Sequence, residues 1–147
     1  MYQRILVTTD GSKLSQKAVN SAIALAAAVG AELVALSVVQ RYPVSYFEGG
    51  VTISAADVGK IEKQWNDDAQ AVVDAVKDAA VAKGVKAKAV LARSNMIAEA
   101  VMAAARKHKC DLIVMASHGR KGISRVLLGS ETQHVLTHST VPVLVLR

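Results

Sequence analysis

Two hydrophobic periods, one of about two residues and one of about 3.6, take turns along this chain and predict its elements in order. Arg4 to Thr9 is an apolar strand ending in Thr8-Thr9-Asp10-Gly11-Ser12, a polar turn that feeds a helix. In that helix Leu14, Ala18, Ala22, Leu25, Ala26 and Val29 follow the helical period, with Ser12 or Ser15 as its cap and Gly30 as its stop. Glu32 to Val39 is nearly continuous in Ala, Leu and Val, the pattern of a strand buried on both faces. From Ser54 a long helix runs to about Lys83, with Val58, Ile61, Trp65, Ala69, Val72 and Val76 on one face and Gly84 as its stop; Trp65 reads as packing on that face. Lys86 to Leu91 alternates basic and apolar residues, as an edge strand does. Asn95 caps the next helix, on which Ile97, Val101, Ala104, Ala105 and His108 recur. A buried strand from Leu112 to Ala116, a glycine loop, a short helix to about His138 and a last strand from Val141 to Leu146 complete the chain.

Strands alternating with helices imply right-handed crossovers and an open five-stranded parallel sheet with helices on both faces, a Rossmann-like α/β fold in a single domain, 1–147. In such sheets the ligand crevice lies outside the carboxyl ends of the strands, where the winding reverses. Thr8 to Ser12, Val38 to Gln40 and Ala116 to Gly129 all follow strand ends and are expected to line one pocket, Asp10 facing a sugar or base and the glycine loop facing phosphates.

The chemistry concentrates between Leu112 and Leu136. Gly119 and Gly122 let the backbone approach an anion and take φ > 0, and a new amphipathic segment starts at Gly129-Ser130. Ser130 suits the N-cap, with Gln133 completing a capping box, so a phosphate would rest on the Ser130, Glu131 and Thr132 amides and the Ser130 hydroxyl. Arg120, Lys121 and Arg125 suit an anionic ligand. The same residues also serve as a plain turn and helix cap, and both readings stand at this level. The loop from Gln40 to Ile53, which holds Tyr42, Pro43, Tyr46, Phe47 and Gly49-Gly50, reads as a lid, a contact surface or a mobile connection.

Composition narrows the function classes. With 52% hydrophobic and 3% aromatic residues, the core must be Val, Ala, Leu and Ile. A net charge of +6 admits anionic partners, yet the basic residues are scattered and few aromatics exist to stack on bases, so no nucleic-acid partner is expected. Cys110 alone excludes an intramolecular disulfide or a cysteine-rich zinc site and reads as a small buried thiol. His134 and His138 stand at a chelating spacing without a third ligand, so no metal site is expected. The amino terminus enters a strand without a signal-peptide pattern, and Gly30 and Glu32 interrupt the apolar span from Ala22 to Val39; a soluble cytoplasmic protein without a membrane partner is expected.

The chain resembles the universal stress proteins over essentially its whole length. Ile5-Leu-Val-Thr-Thr-Asp-Gly-Ser12 is similar to their opening strand and turn; Asp111-Leu-Ile-Val-Met-Ala-Ser-His-Gly119, Leu127-Leu-Gly-Ser130 and Val141-Pro-Val-Leu-Val145 are similar to their closing block. The resemblance implies an adenine nucleotide alpha hydrolase-like fold. Gly119, the nine-residue spacing, Gly129 and Ser130 match the family's ATP-binding branch, whereas Ala116 stands at that branch's first glycine, Thr8 at a usual proline and Ser37 at a frequent histidine. Carried over by position, Thr9, Asp10 and Val38 would hold the adenosine part, Met115, Ala116, His118 and Gly119 would flank ribose and phosphates, and Gly129, Ser130, Glu131 and Thr132 would hold the phosphate end of ATP, with or without Mg.

The function so implied is that of an ATP-binding, homodimeric regulatory protein in a stress response, its copies joined through the last strand and its nucleotide state modulating an unknown regulatory protein partner. The alternative is a dimeric stress interaction module that works without nucleotide. No glycine loop is followed by Lys-Ser or Lys-Thr, and no paired carboxylates are apparent beside the pocket, so no dedicated catalytic residue is assigned and only slow ATP hydrolysis is expected.

Overall fold

The computed structural model describes residues 1–43, 54–119 and 128–147. Among these, nine elements follow one another: β1 (Arg4–Thr8), α1 (Lys13–Val29), β2 (Glu32–Val39), α2 (Ala55–Ala82), β3 (Ala87–Arg93), α3 (Ile97–Lys107), β4 (Leu112–Ala116), α4 (Ser130–His138) and β5 (Val143–Leu146). The strands form one parallel sheet in the order β3-β2-β1-β4-β5. β3 is an edge strand, as its basic alternation indicates, and it runs two residues further than expected. β5 begins at Val143 rather than Val141, because Pro142 offers only its carbonyl, which accepts from the Ile113 amide at 3.0 Å.

Alternation along the strands splits the core into two layers. Ile5, Val7, Leu33, Ala35, Leu112 and Val114 point toward α1 and α2, while Leu6, Val34, Leu36, Ile113 and Met115 point toward α3 and α4. Small residues set the spacing: Ala18, Ala22 and Ala26 bring α1 onto the sheet, and Ala98, Ala104 and Ala105 do the same for α3. On α1 the fully covered positions are Ser15, Ala18, Val19, Ala22, Ile23 and Ala26; Leu14, Leu25 and Val29 flank that stripe, half-buried.

The helix ends show which local signals operate. Ser12 caps α1, its hydroxyl accepting from the Ser15 amide at 3.2 Å, and Gly30 ends the helix at φ 72°. Ser54 caps α2 and Gly84 follows it at φ 78°. Asn95 does not cap α3; its Oδ1 accepts from the Arg41 amide at 2.8 Å instead, and the N-cap is Met96, which makes no side-chain cap bond. A different element supplies the missing acceptor, since Glu131 Oε2 of α4 accepts from the Ala98 amide in the first turn of α3 at 2.8 Å.

From β1 the chain winds one way through β2 and β3, then returns to the other side of β1 for β4 and β5. The switch point therefore falls between β1 and β4, which pair as Ile5 with Leu112, Leu6 with Ile113 and Val7 with Val114.

Candidate functional site

At that switch point two turns leave neighbouring strands side by side. After β1, Gly11 takes φ 79° and its amide donates to Thr9 Oγ1 at 3.2 Å, while Asp10 Oδ1 accepts from the Ser12 amide at 2.9 Å. One oxygen of Asp10 is thus held at the start of α1, and the other faces the loop after β4, where a Cβ built on Gly119 would lie 3.0 Å from Asp10 Oδ2. The Gly129 amide closes the second turn by donating to Ser117 O at 2.7 Å, and a Cβ on Gly129 would lie 3.2 Å from His118 Cα and 3.3 Å from Ser117 O. Neither Gly119 nor Gly129 takes a positive φ, so both are glycines for close approach and not for left-handed backbone.

The N-cap of α4 is Gly129, not Ser130, and no side chain caps the helix. Ser130 is its first helical residue, and the Gln133 amide bonds back to Gly129 O at 2.9 Å, so the expected capping box does not form. The first-turn amides of Ser130, Glu131 and Thr132 have no intrahelical acceptor and carry the positive end of the helix dipole. Two of these side chains are committed elsewhere. Glu131 accepts from α3, and buried Thr132 donates to Ala116 O at 2.9 Å, tying α4 to the end of β4.

A cavity of about 600 Å3 opens over these turns, lined by Asp10, Val38, His118, Gly119, Gly129 and the first turn of α4, Ser130 to Thr132. Eight of the eleven positions singled out from the sequence thus meet at one place. Thr9, Met115 and Ala116 lie beneath it: the Thr9 hydroxyl is 3.1 Å from Ser15 Oγ, Met115 packs in the core against α3 and α4, and Ala116 is the last residue of β4. Ala116 keeps a negative φ; among the described residues Lys109 is the one non-glycine with a positive φ. His118 Nδ1 stands 3.1 Å from Ser117 Oγ.

Sequence reasoning missed the opposite wall. Trp65, Asp68, Ala69 and Val72 of α2 line the cavity, with Ser37 in β2 and Ile97 at the start of α3, while Val39 and Gln40 at the end of β2 line it as expected. Trp65 is 37% exposed and is not a core residue, and Asp68 adds a third carboxylate to a lining that already holds Asp10 and Glu131. The spacing of 65, 68, 69 and 72 marks one helix face; whether sheet or open crevice lies under it depends on where the helix sits. Arg120, Lys121, Gly122 and Arg125, like Tyr46, Phe47, Gly49 and Gly50, fall outside the described residues. Also among the described residues, no group of three or more His, Cys, Asp and Glu could hold a metal ion, and no helix is long and apolar enough to cross a membrane. His134 pairs with Glu99 at 3.0 Å and stacks on His138.

The family model described as "Universal stress protein family" matches residues 1–147. Universal stress protein MJ0531 of Methanocaldococcus jannaschii is 33% identical over 147 residues, spanning 100% of this chain and 83% of that one. Universal stress protein YxiE of Bacillus subtilis is 32% identical over 149 residues and covers both chains completely, 100% of each. Among solved structures, universal stress protein UspA from Lactobacillus plantarum superposes with a TM-score of 0.82 at 25% identity, over 99% of this chain and 98% of that one. A universal stress protein solved in complex with cAMP superposes at 0.68 with 31% identity, over 99% and 97%. With its strand order, its paired glycine turns and its full-length match, the chain belongs to the universal stress protein family.

Proposed function

We propose that this protein is a nucleotide-binding member of its family, a single-domain regulatory protein that takes ATP in the cavity at the β1/β4 switch point. The observation that carries the reading is the closing of Gly119 onto Asp10 and of Gly129 onto His118, which leaves the first turn of α4 open to the same cavity as Val38. Backbone amides at a helix start recognise phosphate, a carboxylate accepts ribose hydroxyls, and apolar side chains receive a base. The cavity falls within the usual range for a small-molecule site, about 300 to 1,000 Å3. A relative 31% identical to this chain has been solved with cAMP, an adenine nucleotide.

The residues suit the group in its parts. Gly129 and the Ser130, Glu131 and Thr132 amides would hold the phosphates, Asp10 the ribose, and Val38 the base, with His118 and Gly119 between them. ATP would supply charge and hydrogen-bond acceptors that draw α4 and the loop after β4 together. Asp10 or Asp68 would hold an Mg ion brought with the phosphates, which would supply positive charge to offset theirs. Through that ordering, ligand state would change a dimer surface or the affinity for a protein partner.

The interaction-module alternative would gain support if Ala116, at the branch's first glycine position, closed the site. At extended, negative-φ backbone an alanine methyl costs little, so that support is weak. Thermal-shift titration of the full chain with ATP and Mg separates the two readings: ATP at 100 times its Kd should raise the melting temperature by about 5 °C or more, and no rise at millimolar ATP rejects the nucleotide reading.

A further inference from the structure

The 28 residues of α2 extend about 42 Å, whereas the eight of β2 extend only about 26 Å, so much of the helix has no strand beneath it. Burial records the overhang. Val73, Val76 and Ala80 are the buried residues of α2, all in its carboxyl-terminal part, and the same apolar stripe continues toward the amino end as Trp65, Ala69 and Val72 over the crevice.

Trp65 is held in place there. Tyr42 stacks on the indole with ring centroids 6.0 Å apart and planes 25° apart. The Tyr42 amide reaches Glu62 Oε1 at 3.4 Å, and the other oxygen of Glu62 accepts from Arg93 of β3 at 2.9 Å, which anchors this end of α2 to the sheet. An aromatic residue that stacks on one ring among the described residues and is substantially exposed into a cavity is poor core packing and a good platform for a flat ligand.

We propose that Trp65 is the wall against which the base of the nucleotide stacks, and that it sets the preference for a nucleoside phosphate over a bare polyphosphate. The inference rests on the nucleotide reading above and adds its base-selecting residue. Stacking of a base on an aromatic side chain changes affinity by roughly fivefold to a hundredfold.

Trp65 is the sole tryptophan of the chain, so its emission reports on this wall alone. The full chain is titrated with ATP and, separately, with tripolyphosphate, following both emission and heat; calorimetry is repeated on Trp65→Leu and Trp65→Phe after circular dichroism shows the parent fold. ATP should change the emission saturably at its calorimetric midpoint, and tripolyphosphate should leave it unchanged. Trp65→Leu should bind ATP about tenfold more weakly without losing affinity for tripolyphosphate, and Trp65→Phe should stay within about threefold of the parent. Equal ATP affinity in Trp65→Leu, or equal weakening of both ligands as a purely structural role would give, overturns the wall and leaves the nucleotide reading standing. Emission that stays constant while ATP binds overturns it irrespective of the variants. Absence of any ATP heat in the parent removes the nucleotide reading and the wall together.

Discussion

A side chain at Gly129 would meet backbone, not a flexible tip: the carbonyl of Ser117 and the Cα of His118 both belong to the turn that Gly129 itself closes. Gly129→Val should therefore open that turn and weaken ATP binding by at least about tenfold, roughly 1.4 kcal/mol, in isothermal titration. Unchanged affinity in a folded Gly129→Val protein would take the corner out of the site. Ala116 is the opposite case, a residue whose methyl sits on extended strand backbone at the end of β4. Ala116→Gly should improve ATP affinity by less than about tenfold, and a larger gain would mean that the methyl itself obstructs the ligand.

At the scale of elements, α4 is positioned by its side chains, and its first turn faces the cavity. Thr132→Val removes the hydroxyl that satisfies Ala116 O in a buried place, an expected loss of about 1 to 2 kcal/mol and about 4 °C in melting temperature. Glu131→Gln keeps an acceptor for α3, so calorimetry should show ATP affinity held or raised. At the other end of the sheet, partial burial pushes the Asp111 carboxyl up, but the Gln3 and Arg4 amides outweigh it and leave the group below its ordinary value; Glu32 is lowered by Arg4 first and by Lys86 next. Carboxyls held lower in the folded than in the unfolded chain contribute stability above the ordinary carboxylate pKa and lose it as pH falls through the depressed one. The melting temperature should thus decline from pH about 6 toward about 3, and Asp111→Asn should melt lower at the upper pH with a shallower decline. An equally steep decline in Asp111→Asn would contradict this. Cys110 contributes nothing there, since burial pushes its thiol up to about 11. The elements themselves were legible because strand runs, Ser12, Ser54, Gly30 and Gly84 act on near neighbours. Asn95, Ser130 and Trp65 were misread because each answers to something distant: Arg41, Ser117 with Gly129, and the limit of the sheet under α2.

Across the whole molecule, β5 is the edge strand beside β4 among the described residues, and Leu144 is 40% exposed while Val143 and Val145 pack against the α3 and α4 layer. An apolar edge of this kind invites a second copy, so dimerisation through β5 is the expected assembly. Leu144→Lys tests it without entering the core: light scattering should show monomers, and an intact dimer at micromolar concentration would place the interface elsewhere. The outline of the candidate cavity was legible, since a strand end, a glycine spacing and a helix start are local features that topology then brings together, as with Asp10 and Gly119. Its α2 wall was not, because that depends on how far one helix outruns a sheet. Equilibrium dialysis of the unmodified chain against labelled ATP and Mg puts the whole reading at risk. Binding with a Kd on the order of micromolar, about −8 kcal/mol, that is lost by at least about tenfold in Gly129→Val is the expected result; no retention at millimolar ATP in the folded parent would contradict it.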